Sequence, residues 1–265
     1  MDGKGKTALV TGASSGIGYQ YTLRLAEMGF GLVLVSNQPQ ELDAVAAQVV
    51  EHYGVPALPL CMDLARPEAA GELFEVCRER GLEIEVLINN AGVFFFNDLT
   101  AVEPRCIEVM VNLHMLTVTL MCRYFGRAMQ ERGHGYILNM SSMSVWMPVA
   151  GISVYAASKS YLRSFSLAIR EELYDSGVRV TAVCPGAVAT DLYNLSSRYQ
   201  RLALRLGVMM TPETLSKKGL RALFRGCRSV VPGMLNHVFI PLLSLVPPCL
   251  IRLLHRRAKF YRYGK

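Results

Sequence analysis

The chain has 265 residues, of which 51% are hydrophobic and 18% charged, and a formal net charge of +7. That balance is too apolar for a disordered segment and too interrupted by charge for a polytopic membrane protein, while the length suits one large domain or two small ones. Seven scattered cysteines without a CxxC pair give neither a disulfide framework nor a zinc site; a reducing cytosol fits them, and a charged N-terminus with only a short apolar run argues against export.

Short β-branched runs alternate with longer helix-like stretches over the first two-thirds of the chain, the pattern of βαβ units on a parallel sheet. Strands are predicted at 7–10, 31–36, 57–62, 86–89, 136–141, 178–184 and 229–231, and helices near 16–28, 40–53, 67–80, 103–131, 154–175 and 212–226. In the second of these helices Leu42, Val45, Val49 and Val50 fall on one side, as apolar residues at helical spacing do. The expectation is a single doubly wound α/β domain over residues 1–235, a seven-stranded parallel sheet with helices on both faces.

Directly after the first predicted strand the chain reads Thr11-Gly12-Ala13-Ser14-Ser15-Gly16-Ile17-Gly18 and then enters a helix. Glycines let the backbone approach a pyrophosphate, and a helix N-terminus offers it free N–H groups and a positive dipole end. Strand, loop and helix in this order therefore point to a dinucleotide; glycines serving an ordinary turn do not need that placement.

Tyr155 and Lys159 stand one helical turn apart on the same face. A phenol with its unperturbed pKa of about 10 is a poor proton donor at neutral pH, and a nearby ammonium draws it toward the working range. By itself YxxxK is most often a surface pair. Ser142 stands at the end of the preceding strand, and Asn112 lies inside the long helix before that.

The spacing TGxxxGxG, Asp63-Leu64 after the third strand, Asn89-Asn90-Ala91-Gly92 after the fourth, Pro185-Gly186 with Thr190 after the sixth, and the set Asn112, Ser142, Tyr155 and Lys159 together resemble the short-chain dehydrogenase/reductase family over about residues 5–235. The resemblance implies a Rossmann domain and an NAD(P)-dependent interconversion of a ketone and a secondary alcohol. It places Gly12, Ser14, Ser15, Gly16, Ile17 and Gly18 at the pyrophosphate, and Asp63 and Leu64 at the adenine. Asn90, Ala91 and Gly92 would lie beside the cofactor, with Pro185, Gly186, Val188 and Thr190 at the nicotinamide. It makes Tyr155 the proton donor, Ser142 the group that polarises the carbonyl, Lys159 the cation that lowers the Tyr155 pKa and holds the ribose, and Asn112 the anchor of a relay water. No metal is implied. His114 reads as a packing or surface histidine.

At the end of the second strand Val35-Ser36-Asn37-Gln38 carries neither an acid for a free ribose hydroxyl nor a cation for a 2′-phosphate. With no carboxylate to repel phosphate, and Ser15, Ser36 and Asn37 as donors, the expected cofactor is NADP(H), with NAD(H) the alternative. The segments expected to line the substrate pocket contain Phe94, Phe95, Met143, Trp146, Met147 and Tyr193, which suits an extended or bulky hydrophobic substrate. A long lid, about 190–212 with a helix over 199–210, and an apolar tail resemble the ketoacyl, ketosphinganine and hydroxysteroid reductases of the family. A long-chain 3-ketoacyl or ketosphingoid substrate ranks first and a steroid ketone second. A catalytically silent cofactor-bound scaffold is the reading from another class, and the complete set of four residues argues against it.

Residues 1–191 hold 14 basic and 20 acidic side chains, net −6, whereas 192–265 hold 14 basic side chains against Glu213 alone, net +13. The final stretch, 236–265, is apolar and then basic, but Pro241, Pro247, Pro248 and Arg252 interrupt it too often for a spanning helix. Two readings stay open: an interfacial element on the cytoplasmic face of an anionic membrane, or a helix packed on the body or a second subunit. A homo-oligomer, dimer or tetramer, is expected; a nucleic-acid partner is not, because no binding module accompanies the basic residues.

Overall fold

The computed structural model describes residues 1–146, 150–190, 197–233 and 252. In chain order the elements are β1 (Thr7–Thr11), α1 (Gly16–Glu27), β2 (Gly31–Ser36), α2 (Pro39–Tyr53), β3 (Ala57–Cys61), α3 (Ala69–Glu79), β4 (Ile84–Asn89), α4 (Pro104–Val111), α5 (Thr117–Arg132) and β5 (Gly135–Met140). They continue with α6 (Ser153–Leu173), β6 (Val178–Val183), β7 (Ala187–Val188), α7 (Ser197–Arg205), β8 (Met209–Met210), α8 (Pro212–Phe224) and β9 (Ser229–Val230).

A parallel strand covered by helices on both faces must be apolar at every position, and β1, β2 and β4 are buried almost throughout. Alternate residues then serve opposite cores. Ala8, Val10, Leu34 and Ile88 pack with Leu25, Leu42 and Leu215 of α1, α2 and α8. Leu9, Val33 and Leu87 pack with Leu73, Met121 and Leu162 of α3, α5 and α6. Each of these large side chains, fully buried, contributes about 1.5–3 kcal/mol over its exposed state.

The sheet order is β3-β2-β1-β4-β5-β6-β9, with every pairing parallel. Chain direction across the sheet reverses between β1 and β4, and in such sheets the crevice beyond the strand ends at that point receives ligands.

The fold corrects the predicted elements at four places. The stretch 103–131 is not one α-helix: α4 and α5 are separated by a π turn over Asn112–Leu116, in which the Thr117 N–H reaches back to the Asn112 carbonyl. Strand β4 begins at Ile84 because Glu85, buried, is held by Lys6 at 3.3 Å and His134 at 2.7 Å. The lid helix predicted over 199–210 is displaced: α7 ends at Arg205, Gly207 turns with φ of 70°, and Met209–Met210 is a strand. That strand, β8, pairs with β7 in a small second sheet absent from the sequence reading. Pro104–Arg132 is long and apolar enough to cross a membrane by length and composition, yet Met110, Met121, Phe125 and Met129 are buried in the core.

Candidate active site

The glycine loop joins β1 to α1 and is tied to the end of β4. The Asn90 side-chain amide donates to the Thr11 carbonyl at 2.9 Å, and the Thr11 hydroxyl accepts the Asn90 and Ala91 N–H groups, each at 2.9 Å. Gly12 and Gly16 have φ of 65° and 55°, which side-chain-bearing residues rarely adopt. A Cβ on Gly18 would stand 2.0 Å from the Gly12 carbonyl oxygen, so only glycine lets α1 begin this close to the loop. Gly18 works behind the cleft rather than in its wall. Ser15 caps α1 in an extended conformation and spends no side-chain hydrogen bond on the helix, leaving the first turn's N–H groups toward the cleft.

A cleft of about 510 Å³ runs from this loop to α6. Every residue expected to hold the cofactor except Gly18 lines it, including Ser36 and Asn37 after β2, Asp63 and Leu64 after β3, Gly92 after β4, and Pro185, Gly186, Val188 and Thr190 after β6. This fit is sound for a dinucleotide: a side-chain-free loop, a helix N-terminus and an open groove at the switch point of the sheet. At the end of β2, Ser14 Oγ donates to Gln38 Oε1 at 2.7 Å and lies 2.8 Å from Ser36 Oγ, which also receives the Gln38 N–H at 3.2 Å. No carboxylate belongs to this set.

At the other end of the cleft Tyr155, Lys159 and Ser142 come together, only 7%, 5% and 8% exposed. Lys159 Nζ donates to the Met140 carbonyl at 2.9 Å and lies 5.6 Å from the Tyr155 ring centre. Burial pushes the Lys159 ammonium down from its ordinary value to about 8. Ser141 donates to the Lys159 carbonyl at 2.7 Å, fixing α6 on β5. Ser142 Oγ accepts the Ser144 N–H at 3.1 Å. Asn112 does not line the cleft; it opens the π turn.

Of the expected substrate-contact residues, Phe94 meets the Tyr155 ring edge-on with centres 5.0 Å apart. Phe94, Phe95, Met143 and Trp146 are not among the residues lining the cleft. Trp146 is occupied instead by the Arg163 guanidinium, 4.9 Å above its ring. Met147 and Tyr193 lie outside the described residues, as does the tail. The sequence reading missed Leu113, Gln200 and His114, which do line the cleft. His114 is wholly buried rather than on the surface, and its position two residues after Asn112 was the only local signal.

Residues 6–200 match the family model for short chain dehydrogenases. The chain is 32% identical over 244 residues to a very-long-chain 3-oxoacyl-CoA reductase of Anas platyrhynchos, a match covering 90% of this chain and 74% of that protein. A Homo sapiens protein of the same description is 32% identical over 243 residues with the same coverage. A short-chain dehydrogenase from Sphingobium yanoikuyae, solved in complex with NADPH, superposes with a TM-score of 0.78 at 29% identity, covering 92% of this chain and 97% of that one.

Proposed function

This chain belongs to the short-chain dehydrogenase family and is an NAD(P)-dependent oxidoreductase; from that premise we propose that it reduces the ketone of a long-chain 3-oxoacyl substrate, with NADP(H) as its preferred cofactor. The observation that carries the reading is the convergence of Tyr155, Lys159 and Ser142 at the far end of a cleft that opens on the glycine loop. The substrate class is supported by the 32% identity to 3-oxoacyl-CoA reductases over most of the chain.

The bound cofactor supplies the hydride. Tyr155 gives its phenol proton to the carbonyl oxygen as charge develops there, and Ser142 donates its O–H to the same oxygen, its lone pair already engaged by the Ser144 N–H. Lys159, beside the ring, stabilises the phenolate left behind and holds the ribose hydroxyls. Asn112, at the break between α4 and α5, anchors the water through which the proton is replaced. At the adenosine end, Ser15, Ser36 and Asn37 line the cleft as neutral groups that accept a 2′-phosphate without a repelling carboxylate.

We extend the proposal to peripheral attachment on anionic membranes through residues 236–265, supported by the +13 charge of the C-terminal quarter, and to assembly as a homo-oligomer, supported by the family resemblance. NADPH consumption with 3-oxoacyl-CoA of increasing chain length, ketosphinganine and oxosteroids tests the reductase reading. Turnover is expected with the long acyl chains. Turnover confined to steroids, or reduction of none of the three classes, rejects it.

A further inference from the structure

His114 enters neither the cofactor contacts nor the proton transfer, yet it is fully buried in the cleft wall. Its Nε2 receives the Val93 backbone N–H at 3.0 Å, so that nitrogen carries the lone pair. The single proton of a neutral ring then sits on Nδ1, which faces Ser158 Oγ at 2.9 Å. Ser158, having accepted that proton's hydrogen bond, donates its own to the Tyr155 carbonyl at 2.8 Å. Each donor and acceptor is used once, in one direction: Val93 to His114 to Ser158 to Tyr155.

Both ends of this chain belong to the site. Val93 follows the Asn90-Ala91-Gly92 loop along the cleft, and Tyr155 is the proton donor. A Cβ on Gly92 would meet His114 Nε2 at 2.9 Å and Lys159 Nζ at 3.7 Å, so the glycine lets the loop close on the imidazole and the ammonium together. The His114 and Tyr155 rings also meet edge to face, 5.9 Å between centres. Among the described residues the titratable groups facing the imidazole are Lys159 and Tyr155, both from α6. A protonated ring would set a second N–H against that of Val93 and a second cation near Lys159; burial and Lys159 both hold the His114 pKa well below its usual range.

We propose that His114 is a positioning residue: an imidazole with its proton on Nδ1 that fixes the Tyr155 turn of α6 against the loop after Gly92, and so sets where the phenol sits relative to Lys159 and the nicotinamide. The π turn is what makes this reachable, since one extra residue in the helix rotates Leu113 and His114 together into the cleft. The kinetic consequence rests on the reductase reading given above; the tautomer does not.

The test therefore has two arms. Long-range ¹H–¹⁵N spectra of the full chain, without substrate, should show His114 neutral and protonated on Nδ1 from about pH 5.5 to about pH 8, across the range where an ordinary histidine titrates. An imidazolium at about pH 6, or a proton on Nε2, overturns the bridge. In the kinetic arm His114→Ala should lower kcat by about 10- to 100-fold, the scale of a misplacement on the order of 1 Å, with a smaller change in the KM for NADPH. The kinetic pKa assigned to Tyr155 should move with it. His114→Asn, whose amide stands where Nδ1 stands, should recover most of kcat. Ser158→Ala should share the defect, and adding it to His114→Ala should cost little more, as expected for one connected network. A folded His114→Ala protein with unchanged kcat and pH profile overturns the proposal. If that variant does not fold, an unchanged kcat and pH profile in Ser158→Ala does so. If the wild-type protein reduces none of the substrates, the reductase reading falls while the tautomer still decides the bridge.

Discussion

Lys159 on α6 donates its ammonium to the carbonyl of Met140, the last residue of β5, at 2.9 Å. That bond holds a cation at the floor of the cleft, and burial lowers its pKa from 10.5 to about 8. The folded chain therefore releases this proton earlier than the unfolded chain does. The buried charge costs stability below about pH 8, and the cost fades as pH rises from about 8 to 10.5. If Lys159 holds the ribose hydroxyls as a cation, the dissociation constant for NADPH should rise as pH passes through about 8. Fluorescence titration of the wild type and of Lys159→Ala across that range checks this: the variant should bind more weakly and lose the pH dependence. A flat wild-type profile would remove the ribose role.

Tyr155→Phe keeps the ring that packs against Phe94 and deletes only the proton donor. Turnover should fall by about 10² to 10⁴, the usual share of general acid–base catalysis, while NADPH affinity stays within about threefold of wild type. Steady-state rates and the same titration measure both quantities.

NADPH should be used in preference to NADH, and Ser36→Asp should invert that order. The new carboxylate would face the 2′-phosphate and would also disturb the 2.8 Å contact with Ser14. Asn37→Arg should raise NADPH affinity by supplying the missing cation. The ratios of kcat/KM for the two cofactors decide the matter, and a wild-type preference for NADH would defeat the assignment.

Attachment to anionic vesicles should depend on the residues after Gly233. Five cations follow Arg252, each worth on the order of 1 kcal/mol near an anionic surface, and the apolar run before them adds burial in the acyl boundary. Co-sedimentation should be strong for the full chain, should weaken as salt screens the charges, and should be lost in a truncation ending at Gly233 that still binds NADPH. Equal and negligible sedimentation of both proteins would return the tail to packing on the body or on a second subunit.

The acidity of the solution provides a further check on burial. His114 stays neutral in the fold, whereas in the unfolded chain it charges below about pH 6.5. Stability should therefore fall as pH drops below that value, because the unfolded state then binds the extra proton. Melting temperatures of the wild type and His114→Asn between about pH 5 and pH 8 should diverge on the acid side, the wild type losing more.

What could be read from the residues alone was whatever local spacing controls. Continuous apolar runs announced the buried parallel strands, apolar side chains at helical spacing gave α2 its inner face at Leu42, Val45 and Val49, although Val50, expected on that side, is exposed, and the glycines between β1 and α1 marked a loop that backbone geometry reserves for residues without a Cβ. Tyr155 and Lys159 were legible as a pair because four residues make one helical turn. What spacing does not control was settled by packing. Glu85 joined β4 in contact with Lys6 and His134, both distant in sequence. The π turn at Asn112 has no signature in composition, and the apolar stretch around it reads as one continuous helix. His114 thus passed for an ordinary histidine until the fold set its two nitrogens against Val93 and Ser158. Burial and hydrogen-bond partners are properties of neighbours in space, and only the folded chain supplies those.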